Sequence, residues 1–156
     1  MERREFIALL GMAAAAMPSS AHADTPCSSN SLSGRIIGAW RFASSINTKK
    51  DGTSFDRWGT APSGIFMFDH GGHYSQIIVG SESRVFGAKT FFTFGTYTVD
   101  EEKKHLVTRV DGCSVAKLIG ATQQRDIISL TADELKYWNP VTSGGTTAEV
   151  IWKRAT

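Results

Sequence analysis

From residue 36 to residue 154 the chain is a near-unbroken series of short segments in which apolar and polar residues alternate with a period of two. The punctuation between them is Gly, Asp and Asn. A period of two places successive side chains on opposite faces of an extended chain, and Asp-Gly or Gly-Gly steps supply the positive φ that tight hairpins need. No stretch keeps a 3.6-residue period, so helical bundles and alternating α/β architectures are excluded.

The segments read as strands over Ile36–Asn47, Thr53–Trp58, Gly64–Asp69, His73–Val79, Lys89–Asp100, His105–Asp111, Thr122–Thr131, Leu135–Asn139 and Thr146–Arg154. Trp40, Phe42, Ser44 and Ile46 fall on one face of the first. Lys50-Asp51-Gly52, His70-Gly71-Gly72 and Ser143-Gly144-Gly145 are turn signals. Cys113–Gly120 fits a short helix or a loop. Eight or nine short strands joined by short turns define an all-β antiparallel domain, and sequential hairpins favour up-and-down order. Closing such a sheet into a barrel removes exposed edges, and eight strands enclose either a solid core or one small ligand. The expected domain spans 36–156.

The N-terminus reads as an export signal over residues 1–23. Arg3 and Arg4 precede a 12-residue apolar run, Phe6–Met17, too short to span a bilayer. Pro18 breaks the run, and Ala21-His22-Ala23 is a small-x-small cleavage sequence. Arg3-Arg4-Glu5-Phe6-Ile7 has the form of a twin-arginine signal, an ordinary secretory signal being the alternative. The implied location is periplasmic or secreted. Residues 24–35, rich in Ser, read as a flexible leader. Two cysteines, Cys27 and Cys113, in an exported chain suggest one disulfide.

The chain's net charge is +2 at 41% hydrophobic content, with no clustering of its basic residues, so nothing points to nucleic acid. No second apolar run is long enough to span a membrane as a helix.

Gly38-Ala39-Trp40-Arg41 opens the first strand; Pro62–Asp69, Gly72-His73-Tyr74-Ser75, Phe94–Asp100, Gly120–Arg125 and Ile151-Trp152-Lys153-Arg154 follow in order. In order and spacing these stretches resemble the bacterial lipocalin-like domain family, over about residues 36 to 154. Where that family often carries Pro-Asn before the seventh strand, this chain has Lys117-Leu118-Ile119. The resemblance implies a calycin-type barrel and no particular activity. It also implies that Trp40 closes one end of the barrel with Arg154 packed across its ring, a stacking that a planar guanidinium supports.

A barrel interior lined by Phe42, Phe66, Phe68, Phe92 and Phe94, with polar groups from Tyr97 and Arg125, would bind a small apolar or amphipathic molecule. Tyr97 and Thr93 share a face with Phe91 and Val99. On the seventh strand alternation sends Gln123 and Arg125 one way and Gln124 and Asp126 the other, and leaves open which pair points inward. Leu106, Thr108 and Val110 are the natural interior face of the sixth strand.

The alternatives are a barrel enzyme, in which Arg125, Tyr97 or Asp126 moves a proton or steadies an oxyanion, and a solid barrel acting through its surface. No nucleophile elbow, paired catalytic carboxylates or phosphate-binding Gly loop is present in the sequence, so no catalytic residue and no cofactor is assigned. Asp69-His70-Gly71-Gly72-His73 brings a carboxylate and two imidazoles to one turn, but a metal there would need ligands from elsewhere, and none is assigned.

Overall fold

The computed structural model describes residues 30–81 and 89–156. The export signal of residues 1–23, the first residues of the leader and Cys27 lie outside the described residues. Nine strands form: β1 (Gly38–Thr48), β2 (Ser54–Asp56), β3 (Ser63–Phe68), β4 (His73–Val79), β5 (Thr90–Asp100), β6 (His105–Cys113), β7 (Thr122–Leu130), β8 (Glu134–Asn139) and β9 (Thr147–Arg154). All pairings are antiparallel, β1, β3 and β4 to β9 follow in chain order, and β9 returns to β1. The result is a closed eight-stranded up-and-down barrel. β2 lies outside it, paired to the C-terminal half of β1 through Ile46↔Asp56, while β3 takes the N-terminal half through Trp40↔Phe66. Closure pairs the backbone groups of the first and last strands and leaves the barrel wall without an edge.

The N-terminal end differs from a flexible leader. Leu32–Ile36 form a one-turn helix, α1. Ser31 Oγ accepts from the Gly34 amide, and the Glu101 carboxylate accepts from the Leu32 and Ser33 amides at 2.8 Å each. Side chains thereby satisfy the amides that a helix start leaves unpaired. Ile36 is fully buried, so α1 plugs one pole of the barrel. At that pole Trp40 Nε1 donates to the Ile36 carbonyl, and the Arg154 guanidinium lies 3.7 Å from the Trp40 ring centre. Arg154 also donates to the carbonyls of Arg35, Ile37 and Ala132 at 2.7–2.9 Å.

Three bulges decide which residues face inward. In β1 the register shifts between Phe42 and Ser44, so Trp40 and Phe42 point in and then Ser45 and Asn47 do, while Ile46 turns out at 44% exposure. The expected single face of Trp40, Phe42, Ser44 and Ile46 is therefore broken at Ala43. In β7 the shift falls between Ile127 and Ser129: Arg125, Ile127 and Leu130 face in, and Ile128 faces out. The third sits at Asp111, where β6 carries one residue more than β5 between Gly95↔Val110 and Phe94↔Gly112. One extra residue reverses the alternation beyond it.

The α1 half of the interior is solid. Phe66 packs on Phe68 (ring centres 4.2 Å apart), on Trp152 (5.2 Å) and on Tyr74 (6.0 Å). Two hydrogen bonds tie the polar ends of these rings, Trp152 Nε1 to Tyr137 Oη at 3.2 Å and Tyr74 Oη with Thr93 Oγ1 at 3.0 Å. Aromatic edges on faces and satisfied polar tips make a well-packed core.

The expected Cys27–Cys113 bridge has one partner, Cys27, outside the described residues. Cys113 ends β6, whose nine residues at about 3.3 Å each span roughly 26 Å. Ser31 sits at the other end, where Leu32 and Ser33 bond Glu101 in the β5–β6 turn. Cys113 is a free thiol whose Sγ accepts from the Val115 amide at 3.3 Å.

Candidate functional site

At the pole opposite α1 the aromatic filling stops. A half-enclosed cavity of about 70 Å³ remains there. The C-terminal half of β1 supplies Ser45 and Asn47, the segment after β2 supplies Arg57 and Trp58, and β4, β5 and β7 supply Gln76, Phe91 and Arg125. One wall is aromatic: Trp58 lies 6.3 Å from both Phe42 and Phe91, ring centre to ring centre. The opposite character comes from polar residues held at inward positions. Asn47, almost wholly buried, donates to Thr146 Oγ1 at 2.9 Å and accepts from Ser45 Oγ at 3.2 Å.

Arg125 is the deepest charge, at 4% exposure. Its Nη1 donates to Thr108 Oγ1 at 2.7 Å and its Nη2 to Gln123 Oε1 at 3.0 Å. The guanidinium stands 5.7 Å from the Tyr137 ring centre, while Nε is buried without a partner. Gln76 Oε1 is likewise buried and unpaired. Burial pushes the Arg57 guanidinium below its ordinary pKa. Among the described residues no Asp or Glu lines the cavity. A shallower recess of about 320 Å³, with Leu118, Pro140 and Val141, shares Gln123, Thr142 and Ser143 with it.

The residues singled out from sequence are dispersed. Of the residues expected to line a ligand site, Phe42 and Arg125 line the cavity. Phe66 and Phe68 point inward but are consumed by the aromatic core. Phe92 and Phe94 point outward, 44% and 50% exposed, because β5 turns Phe91, Thr93 and Tyr97 to the interior. They do not face the cavity; the Phe94 ring lies over Gly112 of β6. Tyr97 is on the inner face, packed edge-on against Phe68 at 4.9 Å, and its hydroxyl donates to the Asp69 carbonyl at 2.8 Å. Gln76, Ser45, Asn47, Trp58 and Phe91 were not singled out as site residues. Gln76 had a readable signal, the alternation Tyr74-Gln76-Ile78; Ser45 and Asn47 had none, because the bulge at Ala43 turns them in.

The groups considered for catalysis do not converge. Asp126 is on the outer face of β7, 3.4 Å from His105 Nε2 and bonded to Gln124 at 2.9 Å. Tyr97 is not among the residues lining the cavity, and its hydroxyl is engaged by the Asp69 carbonyl. The Asp69–His73 pair is a solvent-exposed hairpin brace: Asp69 Oδ1 accepts from the His73 amide at 2.7 Å, and Oδ2 lies 3.2 Å from His73 Nδ1. Those contacts, the backbone amide first, hold the Asp69 carboxyl below its ordinary pKa. Among the described residues no group of three or more His, Cys, Asp or Glu is placed to hold a metal. Among them, too, no helix is long and apolar enough to cross a membrane.

No protein-family model matches the chain, and no curated protein matches it. Solved structures do. A lipocalin-like protein from Bacteroides uniformis aligns over 78% of this chain and 100% of its own, at 14% identity and a TM-score of 0.48. Bovine odorant binding protein, in complex with a selenium-containing odorant, aligns over 80% of this chain and 73% of its own, at 16% identity and a TM-score of 0.47. A biogenic amine-binding protein aligns over 77% of this chain and 64% of its own, at 11% identity and a TM-score of 0.48. What this chain shares with them is a closed antiparallel eight-stranded up-and-down barrel; here a short helix sits at one pole.

Proposed function

We propose that this protein binds a small amphipathic molecule in the cavity at the end of the barrel opposite α1. The observation that carries this reading is the cavity's mixed lining, aromatic Phe42, Trp58 and Phe91 together with polar Arg125, Gln76 and Asn47. Apolar area on a ligand gains about 25 cal/mol per Å² on burial, while a few placed polar groups set its orientation. A wholly apolar ligand fits less well, because the apolar half of the interior is already filled with its own aromatic rings. The bovine odorant binding protein and the biogenic amine-binding protein named above are ligand-binding proteins by description. The cavity is about half the volume of the roughly 150 Å³ engineered cavity that accepts benzene, so the ligand's buried portion is a few non-hydrogen atoms.

Native mass spectrometry of protein purified from its own host tests the proposal. The expected spectrum contains a species heavier than the polypeptide that releases a small molecule on denaturation. A spectrum of polypeptide mass alone, together with no response of Trp58 to added amphiphiles, overturns it.

The same reading includes export. Residues 1–23 supply the motivation, and the mature protein should begin at Asp24 in the periplasm or outside the cell. Finding Met1 at the N-terminus of cytosolic protein would sink it.

A further inference from the structure

We infer that the ligand carries a carboxylate and that Arg125 receives it. This rests on the ligand-binding reading above and goes beyond it by fixing the charge of the ligand.

A guanidinium has five N–H donors. Arg125 uses Nη1 and Nη2 in one hydrogen bond each, and both acceptors, Thr108 Oγ1 and Gln123 Oε1, are neutral. Its Nε is buried with no partner, and the whole side chain is 4% exposed. A buried cation is tolerated when an anion or a full set of acceptors compensates it. Neither is present. The nearest ring, Tyr137, offers only the weak negative potential of a π face at 5.7 Å. No carboxylate of the described residues lines the cavity: Asp126 is on the outer face of the same strand, and Asp56, the nearest in sequence to a lining residue, accepts from the Trp58 amide at 2.8 Å. Gln76, which also lines the cavity, holds a second buried polar atom without a partner, Oε1.

Two unsatisfied polar groups, one on β4 and one on β7, in the lining of one cavity are an anomaly in a core and the expected condition of a binding site. A planar carboxylate matches the planar fork of the guanidinium, and Arg is the residue type suited to that bidentate contact. An ammonium ligand would meet like charge instead. The chemical class is therefore a short aliphatic or aromatic carboxylic acid, ionised at neutral pH, whose apolar part lies against Phe42, Trp58 and Phe91.

The test compares three probes of one size, pentanoate, pentan-1-ol and pentylamine, titrated into the isotopically labelled whole protein at pH 7. NMR shifts of the Trp58 indole N–H and the Arg125 Nε–H are followed. Pentanoate should move both signals and bind at least about tenfold more tightly than pentan-1-ol, the order expected of a charged hydrogen bond. Pentylamine should bind most weakly. In Arg125→Met the preference for the acid over the alcohol should vanish. If acid and alcohol bind equally in the unaltered protein, or the amine binds best, the carboxylate inference is overturned and the amphipathic reading stands. If none of the three binds, both fall. The ranking in the unaltered protein decides by itself should Arg125→Met fail to fold.

Discussion

Arg154 lies across the indole of Trp40, directly opposite it in the β1–β9 pairing, 114 residues apart in the chain and 3.7 Å from guanidinium to ring centre. The same guanidinium holds three backbone carbonyls, two of them at the end of α1. One side chain therefore joins the first strand, the last strand and the helical plug. Trp40→Ala should cost about 3–5 kcal/mol through the cavity it leaves. Arg154→Ala should cost about 2 kcal/mol through lost stacking and charged hydrogen bonds. The two should not add, because each removes part of the same contact. Urea unfolding of the two single variants and the double variant measures the coupling; strict additivity would show that the stacking contributes nothing.

Glu101 makes the α1 end sensitive to acid. Burial opposes ionisation of its carboxyl, but the amides of Ser33 and Leu32 outweigh this and hold its pKa below the ordinary value of 4.5. A carboxyl depressed in the folded state contributes stability above its unfolded value and loses it as the pH falls through the folded one. Amide exchange at Leu32 and Ser33 should therefore speed up selectively as the pH drops below about 4.5, once intrinsic exchange is accounted for. Glu101→Gln should show fast exchange already at pH 7. Equal protection in the two proteins at pH 7 would dismiss the carboxylate's role.

Gly95 is required by the bulge at Asp111. A methyl group built at Gly95 lands on the Arg109 carbonyl oxygen, which is backbone and cannot turn aside. Gly95→Ala should therefore cost at least about 3 kcal/mol or prevent folding, by overpacking. The measurement is the midpoint of thermal unfolding by circular dichroism; a midpoint within a degree or two of the unaltered protein contradicts the geometry.

Arg125→Met should leave the ligand-free protein as stable as the unaltered one or more stable. The substitution removes a buried charge that lacks a compensating anion, and apolar replacements of such groups are often stabilising by roughly 1–4 kcal/mol. A residue that costs stability in the free protein is what a binding site contains. Denaturant unfolding without ligand checks this, and a loss of more than about 2 kcal/mol would show that Arg125 is structural cement.

Cys113 should alkylate in the native protein without prior reduction, as a free thiol does. Peptide mapping that finds Cys113 joined to Cys27 would contradict this.

The order of the strands was legible because alternation and turn residues are local properties. β4 falls on the residues the pattern marks, His73–Val79, and no other strand shifts by more than two residues at either end. The interior face was legible where a strand runs without interruption, as in Leu106-Thr108-Val110. It was not legible across bulges. The face of Arg125 was ambiguous because unbroken alternation groups Leu130 with Asp126, whereas the extra residue at Ile128 groups it with Arg125. Nothing in a single sequence announces an added residue of this kind. Phe92 and Phe94 misled for another reason: Phe91, Phe92 and Phe94 cannot all face one way, and aromatic content weighs less than position. α1 was hidden because its five residues are too few for a period to show, and its amides are satisfied by Glu101, 68 and 69 residues away in sequence.

The plugged pole also fixes how the molecule can be displayed. Thr156 follows two residues after Arg154, at the end sealed by α1, while the Arg125 cavity opens at the far end of the barrel. A tether attached at Thr156 would stand the barrel upright on a sensor surface with its mouth towards the solution, so immobilisation and ligand uptake would not compete for the same face.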